Sequence, residues 1–138
     1  MSDGERVLER WAAVLSARDA EGWAELCSPD CVHEDVAIGV VNDGPEQIRA
    51  FAQLFFDAVP DFDVKITSSF GDESSAVCEW EMSGTQSGDL PDMPASGRSF
   101  RVRGATLIAL EASGQISRIT EYWDTATWLR QLGFLPPA

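Results

Sequence analysis

At 138 residues, 44% of them apolar and with five Trp and seven Phe, the chain is sized for one compact domain over residues 1–138 with a single hydrophobic core. Its 23 acidic residues outnumber 10 basic ones, for a formal net charge of -13, and Lys65 is the sole lysine; this balance argues against nucleic acid and membrane surfaces as partners, because both need basic patches. Cys27, Cys31 and Cys78 are odd in number, contain no CxxC pair and accompany a single histidine, so neither a disulfide framework nor a zinc centre is expected.

Ser2 or Asp3 is placed to cap a first helix in which Val7, Leu8, Trp11, Val14 and Leu15 recur at the three-and-four spacing of one buried face. The charged start, MSDGERVLERW, lacks the apolar run of a signal peptide, and no later segment approaches 18 uninterrupted apolar residues; the expectation is a soluble cytoplasmic protein with buried, reduced thiols. Asp19 opens a short second helix carrying Trp23, Leu26 and Cys27 and stopping near Ser28-Pro29-Asp30. Cys31 to Ile38 suits a strand, and Val41-Asn42-Asp43-Gly44 a turn. Pro45 then fits the first turn of a third helix, with an apolar stripe of Ile48, Phe51, Leu54, Phe55 and Val59, ended by Pro60.

From Asp61 the period changes to two, and a meander of strands follows. Phe62 to Phe70, Ala76 to Gly84, Ser99 to Glu111 and Ile116 to Trp123 are the strands. The first and third turns carry Gly71 and Gly114, and a loop with two prolines runs from Gln86 to Gly97. A short amphipathic helix over Thr125 to Leu132 closes the chain. Helices first and a meander afterwards predict an α+β domain, with three N-terminal helices packed over one face of a bent sheet.

Strand parity sorts the side chains. Glu79 and Glu81 share one face and Trp80 takes the other, while Phe100, Val102, Gly104, Thr106 and Ile108 read as interior. Arg101 and Arg103 therefore face outward, where pairing with Glu79 or Glu81 across the sheet is expected. In the last strand, Ile119, Glu121 and Trp123 alternate on one side, Thr120, Tyr122 and Asp124 on the other, so Glu121 and Asp124 are rivals for the interior. Asp124 also suits a helix cap, and His33 and Asp35 fall on one face of their strand.

The segments Ser16-Ala17-Arg18-Asp19-Ala20-Glu21-Gly22-Trp23, Gly84-Thr85-Gln86-Ser87-Gly88 with Pro94 to Arg98, and Gly114 to Gly133 with its EYWD and QLG resemble the SnoaL-like polyketide cyclases. That family shares its cone-shaped fold with nuclear transport factor 2 and ketosteroid isomerase. The resemblance covers nearly the whole chain. It implies a curved antiparallel or mixed sheet, three helices over its concave face, a conical pocket for a small apolar or multi-ring molecule, and a homodimer.

In the cyclases an acidic residue near the end of the last long strand works without metal or cofactor, and Asp124 matches that position. In ketosteroid isomerase the general base is an Asp in a context resembling Val32-His33-Glu34-Asp35, which points to Asp35. That enzyme's oxyanion donors, a Tyr and a protonated Asp, fall on Trp11 and Thr106. The expected site therefore has Asp124, Asp35 and His33 as catalytic groups and Trp11, Phe55, Trp80, Thr106, Glu121 and Trp123 as ligand contacts, with no metal and no cofactor. The expected activity is general acid/base catalysis of cyclisation, isomerisation or water addition on a polyketide-like or other cyclic apolar substrate. The alternative is a noncatalytic ligand-binding or dimeric protein-interaction domain of the same fold.

Overall fold

A computed structural model describes residues 1–137. Helix α1 (Asp3–Ser16) starts at Ser2, whose hydroxyl accepts from the Glu5 amide, and buries Val7, Leu8, Trp11 and Leu15 on one side. Asp19 caps α2 (Ala20–Glu25) by accepting from the Gly22 amide at 2.9 Å. The helix ends sooner than its sequence suggests, because the next strand, β1 (Cys27–Asp35), starts at Cys27 and stops at Asp35 instead of running from Cys31 to Ile38. The early start reflects a bulge: Cys27 pairs with Ile116 and Val32 with Arg118, so Ser28, Pro29, Asp30 and Cys31 are accommodated between two paired positions.

The expected turn at 41–44 is instead mostly strand. Segment β2 (Val40–Asp43) folds back on β1, pairing Asp35 with Val40 and Val32 with Asp43, and only Gly44, at φ 86°, is left to turn the chain. The free edge of β1 offered hydrogen bonds that local turn propensity could not outweigh. Pro45 then begins α3 (Pro45–Ala58), which buries Ile48, Ala52 and Phe56 while Leu54 remains exposed.

Strands β3 (Asp63–Gly71), β4 (Ser75–Thr85), β5 (Ser99–Leu110) and β6 (Ile116–Trp123) form the meander read from the sequence, followed by α4 (Thr125–Leu132). The six strands lie in the order β2-β1-β6-β5-β4-β3, antiparallel throughout except that β1 runs parallel to β6. This parallel step makes the sheet mixed and brings the end of β1 beside the end of β6: Asp35 is the register partner of Glu121. Helix α1 packs over β3, β4 and β5, and α2 and α3 pack together over β1. The three helices thus cover the inner face of the sheet.

On the outer face Arg101 meets Glu81 at 2.7 Å and Arg103 meets Glu79 at 3.6 Å, the cross-strand pairs expected from alternation. All are solvated enough to contribute at most about 1 kcal/mol each. Helix α4 is tied to β5 by Gln131, whose amide accepts from the Arg101 N–H at 2.8 Å and donates to its carbonyl at 3.1 Å. The β4–β5 loop is organised by buried Gln86, which donates to the Met93 carbonyl at 3.0 Å and accepts from the Ser96 amide at 3.2 Å. All three cysteines are buried free thiols. Among the described residues no helix is long and apolar enough to cross a membrane.

Candidate active site

Between the helices and the concave sheet face lies a cavity of about 430 Å³. Its walls are rings and aliphatic chains: Phe51, Phe55 and Phe56 from α3, Trp11 from α1, Trp23 from α2, Trp80 and Met82 from β4, Trp123 from β6, Trp128 from α4, and Leu90 and Met93 from the Gln86 loop. The Trp80 ring and the Cβ of Trp123 close on Gly104 of β5, which leaves no room for a side chain at that position. A Cβ there would lie 2.6 Å from both the Trp123 Cβ and the Trp80 ring.

Two lining residues are ionisable, Asp35 and Glu121, and both are acids. Each projects inward from a strand end, as parity requires for Glu121, whereas Tyr122 is exposed. Asp35 is 4% exposed and receives the Trp123 indole N–H at 3.0 Å to each of its oxygens, with the Ile38 amide donating to Oδ1 at 3.3 Å. Behind Glu121 sits His33, fully buried, its Nε2 2.7 Å from Glu121 Oε2. The other carboxylate oxygen, Oε1, accepts from the Thr106 hydroxyl at 3.2 Å, and that hydroxyl in turn accepts the Trp80 indole N–H at 2.7 Å. On the far side of the imidazole, Asn42 Nδ2 is 3.1 Å from His33 Nδ1. With Asn42 donating to Nδ1, the neutral ring carries its proton on Nε2, toward Glu121.

The electrostatics follow from burial and from two acids placed side by side. Burial, and next the charge of Glu121, push the Asp35 carboxyl up from 3.8 to about 6 against the lowering influence of the Trp123 hydrogen bond. Burial works against a charged His33, but the hydrogen bond and charge of Glu121 outweigh it, so the imidazole is raised above 6.5. The outcome is an acid that exchanges protons near neutral pH, facing an apolar cavity, beside a carboxylate held by a buried imidazole.

His33, Asp35 and Glu121 offer ligand atoms within 4.8 Å of one another, one nitrogen and two carboxylate oxygens. The lone pairs that a cation would need are aimed at hydrogen-bond donors: Glu121 at the His33 ring and Thr106, Asp35 at the Trp123 indole. Such an arrangement is suited to moving protons.

Of the residues singled out from sequence, Asp35, Glu121, Trp11, Phe55, Trp80 and Trp123 line the cavity, with His33 and Thr106 directly behind Glu121. Asp124 is placed elsewhere. It is exposed and caps α4, accepting from the Thr127 amide at 3.1 Å and hydroxyl at 2.7 Å, and these bonds hold its carboxyl below the usual range. The strand ends at Trp123 without a bulge that would turn Asp124 inward, so Glu121 takes the interior place. Asn42, Trp23 and Trp128 are site residues that sequence reasoning passed over. The sequence pattern puts Asn42 in a turn and Trp23 on a short helix, and it does not single out Trp128; alternation of Val40 and Asn42 along β2 is the one local signal for the first.

A curved mixed sheet holding an apolar cavity with a buried His–Glu–Asp cluster at its end defines a ketosteroid isomerase-like fold with enzyme-like equipment. The family model of the SnoaL-like polyketide cyclases matches residues 5–132, and the chain belongs to that family. No curated protein sequence matches it. Among solved structures it is similar to a protein of Jannaschia sp. CCS1 provisionally assigned as a SnoaL-like polyketide cyclase, at 20% identity over 98% of this chain and 94% of that one, with a TM-score of 0.85. TsrD of Streptomyces laurentii is 26% identical over 96% of each chain, with a TM-score of 0.83. A Catenulispora acidiphila protein with a ketosteroid isomerase-like fold is 22% identical over 94% of this chain and 93% of that one, with a TM-score of 0.81.

Proposed function

We propose that the protein is a cofactor-independent general acid/base enzyme acting on an uncharged, cyclic, apolar substrate, with Asp35 as the group that takes and returns the proton. The observation that carries this reading is that, among the described residues, Asp35 and Glu121 are the two ionisable side chains on the wall of an otherwise apolar cavity, where burial and the Glu121 charge push the Asp35 carboxyl up to about 6. At neutral pH an ionised Asp35 accepts a proton from carbon next to a carbonyl. The neighbouring Glu121 charge favours the protonated form that results, so the proton is held long enough to be returned at another position. His33 hydrogen-bonds one oxygen of Glu121, and Thr106, itself fixed by Trp80, orients the carboxylate through the other. Isomerisation and ring closure by carbon–carbon bond formation both begin with such a step.

The test uses 2-tetralone, a bicyclic ketone with acidic hydrogens, in D2O, with deuterium uptake followed by proton NMR. The protein is expected to accelerate exchange, and Asp35→Asn to lower that acceleration by about 10²- to 10⁴-fold. An Asp35→Asn protein that is folded and as active as the parent would overturn the assignment.

A further inference from the structure

Asp35 is a buried carboxylate whose hydrogen bonds come from neutral donors, the Trp123 indole and the Ile38 amide. Among the described residues it takes part in none of the chain's ion pairs. Glu121 beside it is better provided, with the His33 imidazole at 2.7 Å. Among the described residues no arginine, lysine or histidine reaches the cavity wall, where α1, α2, α3, α4, β2, β3 and β4 contribute only rings and aliphatic chains. The groups that set the charge at Asp35 are therefore Glu121 of β6 and His33 of its own strand.

Even a protonated His33 balances just one of the two carboxylates, so the cluster is left with a negative charge in excess once Asp35 ionises. The chain as a whole, at a net charge of -13, adds a field that draws cations and turns anions away. A charge buried without a partner is costly, and the partner missing here is a cation. The rest of the wall decides which kind. A metal ion needs several oxygen atoms with free lone pairs, whereas those of Asp35 and Glu121 receive hydrogen bonds from Trp123, Ile38, His33 and Thr106. An organic ammonium ion needs no such ligand set, because its alkyl or aryl body packs on the apolar wall. At about 430 Å³ the cavity is of ordinary size for a small-molecule site.

We propose that the cavity is a receptor for organic ammonium ions with an apolar body, the charged nitrogen seated against the carboxylates of Asp35 and Glu121, and that such a cation competes with the neutral substrate for the same space. This second ligand is held and not turned over, so its binding goes beyond the acid/base reading and does not depend on it.

Benzyltrimethylammonium and neopentylbenzene have the same shape and differ in a positively charged nitrogen where the hydrocarbon has a quaternary carbon. All five tryptophans line the cavity, so intrinsic fluorescence reports its occupancy, and dissociation constants of the full-length protein are measured for both probes at pH 5 and pH 8. With the Asp35 carboxyl pushed up to about 6 by burial and by the Glu121 charge, about a tenth of it is ionised at pH 5 and nearly all at pH 8. The cation is therefore expected to bind about tenfold more tightly at pH 8. His33, raised above 6.5, sheds its proton over the same range and acts in the same direction. The hydrocarbon should change by less than about twofold. Asp35→Asn should weaken the cation at pH 8 about tenfold, reduce its pH dependence and leave the hydrocarbon within about twofold.

Equal pH dependence for the two probes, or none for the cation, would overturn the proposal, and neither readout needs a variant to fold. So would an Asp35→Asn protein that binds the cation at pH 8 as tightly as the parent does. Deuterium exchange of 2-tetralone separates the two readings. If the parent does not accelerate it, the acid/base reading fails and a pH-dependent cation site still stands. If the parent accelerates it and saturating benzyltrimethylammonium does not inhibit, the cation lies outside the cavity and the receptor proposal fails alone.

Discussion

If Asp35 is kept for chemistry, the fold should be more stable without its charge. Moving the carboxyl from 3.8 to about 6 corresponds to about 3 kcal/mol of preference for the protonated form in the folded protein. Asp35 is 4% exposed but borders a cavity that admits water, and screening there reduces the figure, so about 1 to 3 kcal/mol is expected. The sign is fixed by linkage. The folded state holds this proton more tightly than the unfolded chain, so the penalty is absent below pH 3.8, grows between there and pH 6, and is complete above pH 6.

Asp35→Asn retains an oxygen to accept the Trp123 N–H and removes the charge. Thermal and urea unfolding of both proteins, followed by circular dichroism from pH 4 to 8, should show the variant ahead by about 1 to 3 kcal/mol at pH 8, or about 3 to 10 °C in Tm. The two should converge near pH 4. A difference that does not change with pH, or a variant less stable than the parent at pH 8, would refute the reasoning. Stability gained together with exchange lost is the trade expected at a site held in a costly charge state.

Two further outcomes follow from the same geometry. His33 is the only histidine, so its imidazole can be titrated by NMR without overlap: its midpoint should lie above 6.5 in the parent and fall below 6.5 in Glu121→Gln, where burial is left to dominate. A midpoint unchanged by Glu121→Gln would dissolve the pair. Asp124→Ala should cost about 0.5 to 2 kcal/mol in urea unfolding through loss of the α4 cap and leave 2-tetralone exchange intact; a tenfold loss of exchange would restore Asp124 to the chemistry.

Much of the fold was legible because it rests on local periodicity. The three-and-four spacing of Val7, Leu8, Trp11 and Leu15, the prolines at 45 and 60, and the alternation around Trp80 and from Phe100 to Ile108 mark the helices and the meander whatever lies next to them. The same alternation put Arg101 and Arg103 opposite the glutamates of β4. The boundaries of β1 and the existence of β2 were not legible in this way, since a bulge between Cys27 and Val32 and a strand made of Val40–Asp43 exist only by pairing with residues far along the chain.

By itself, then, the sequence determined the α+β order, the inward parity of Glu121, the shared face of His33 and Asp35, and an aromatic core large enough to surround a ligand. Tertiary structure decided which acids meet. The parallel pairing of β1 with β6 sets Asp35 opposite Glu121, residues 86 positions apart whose distance no local period encodes, and the end of β6 at Trp123 leaves Asp124 to cap α4. It decided as well which indole N–H groups find a partner. Proton affinity depends on burial and on neighbouring charge, and both are properties of the folded neighbourhood.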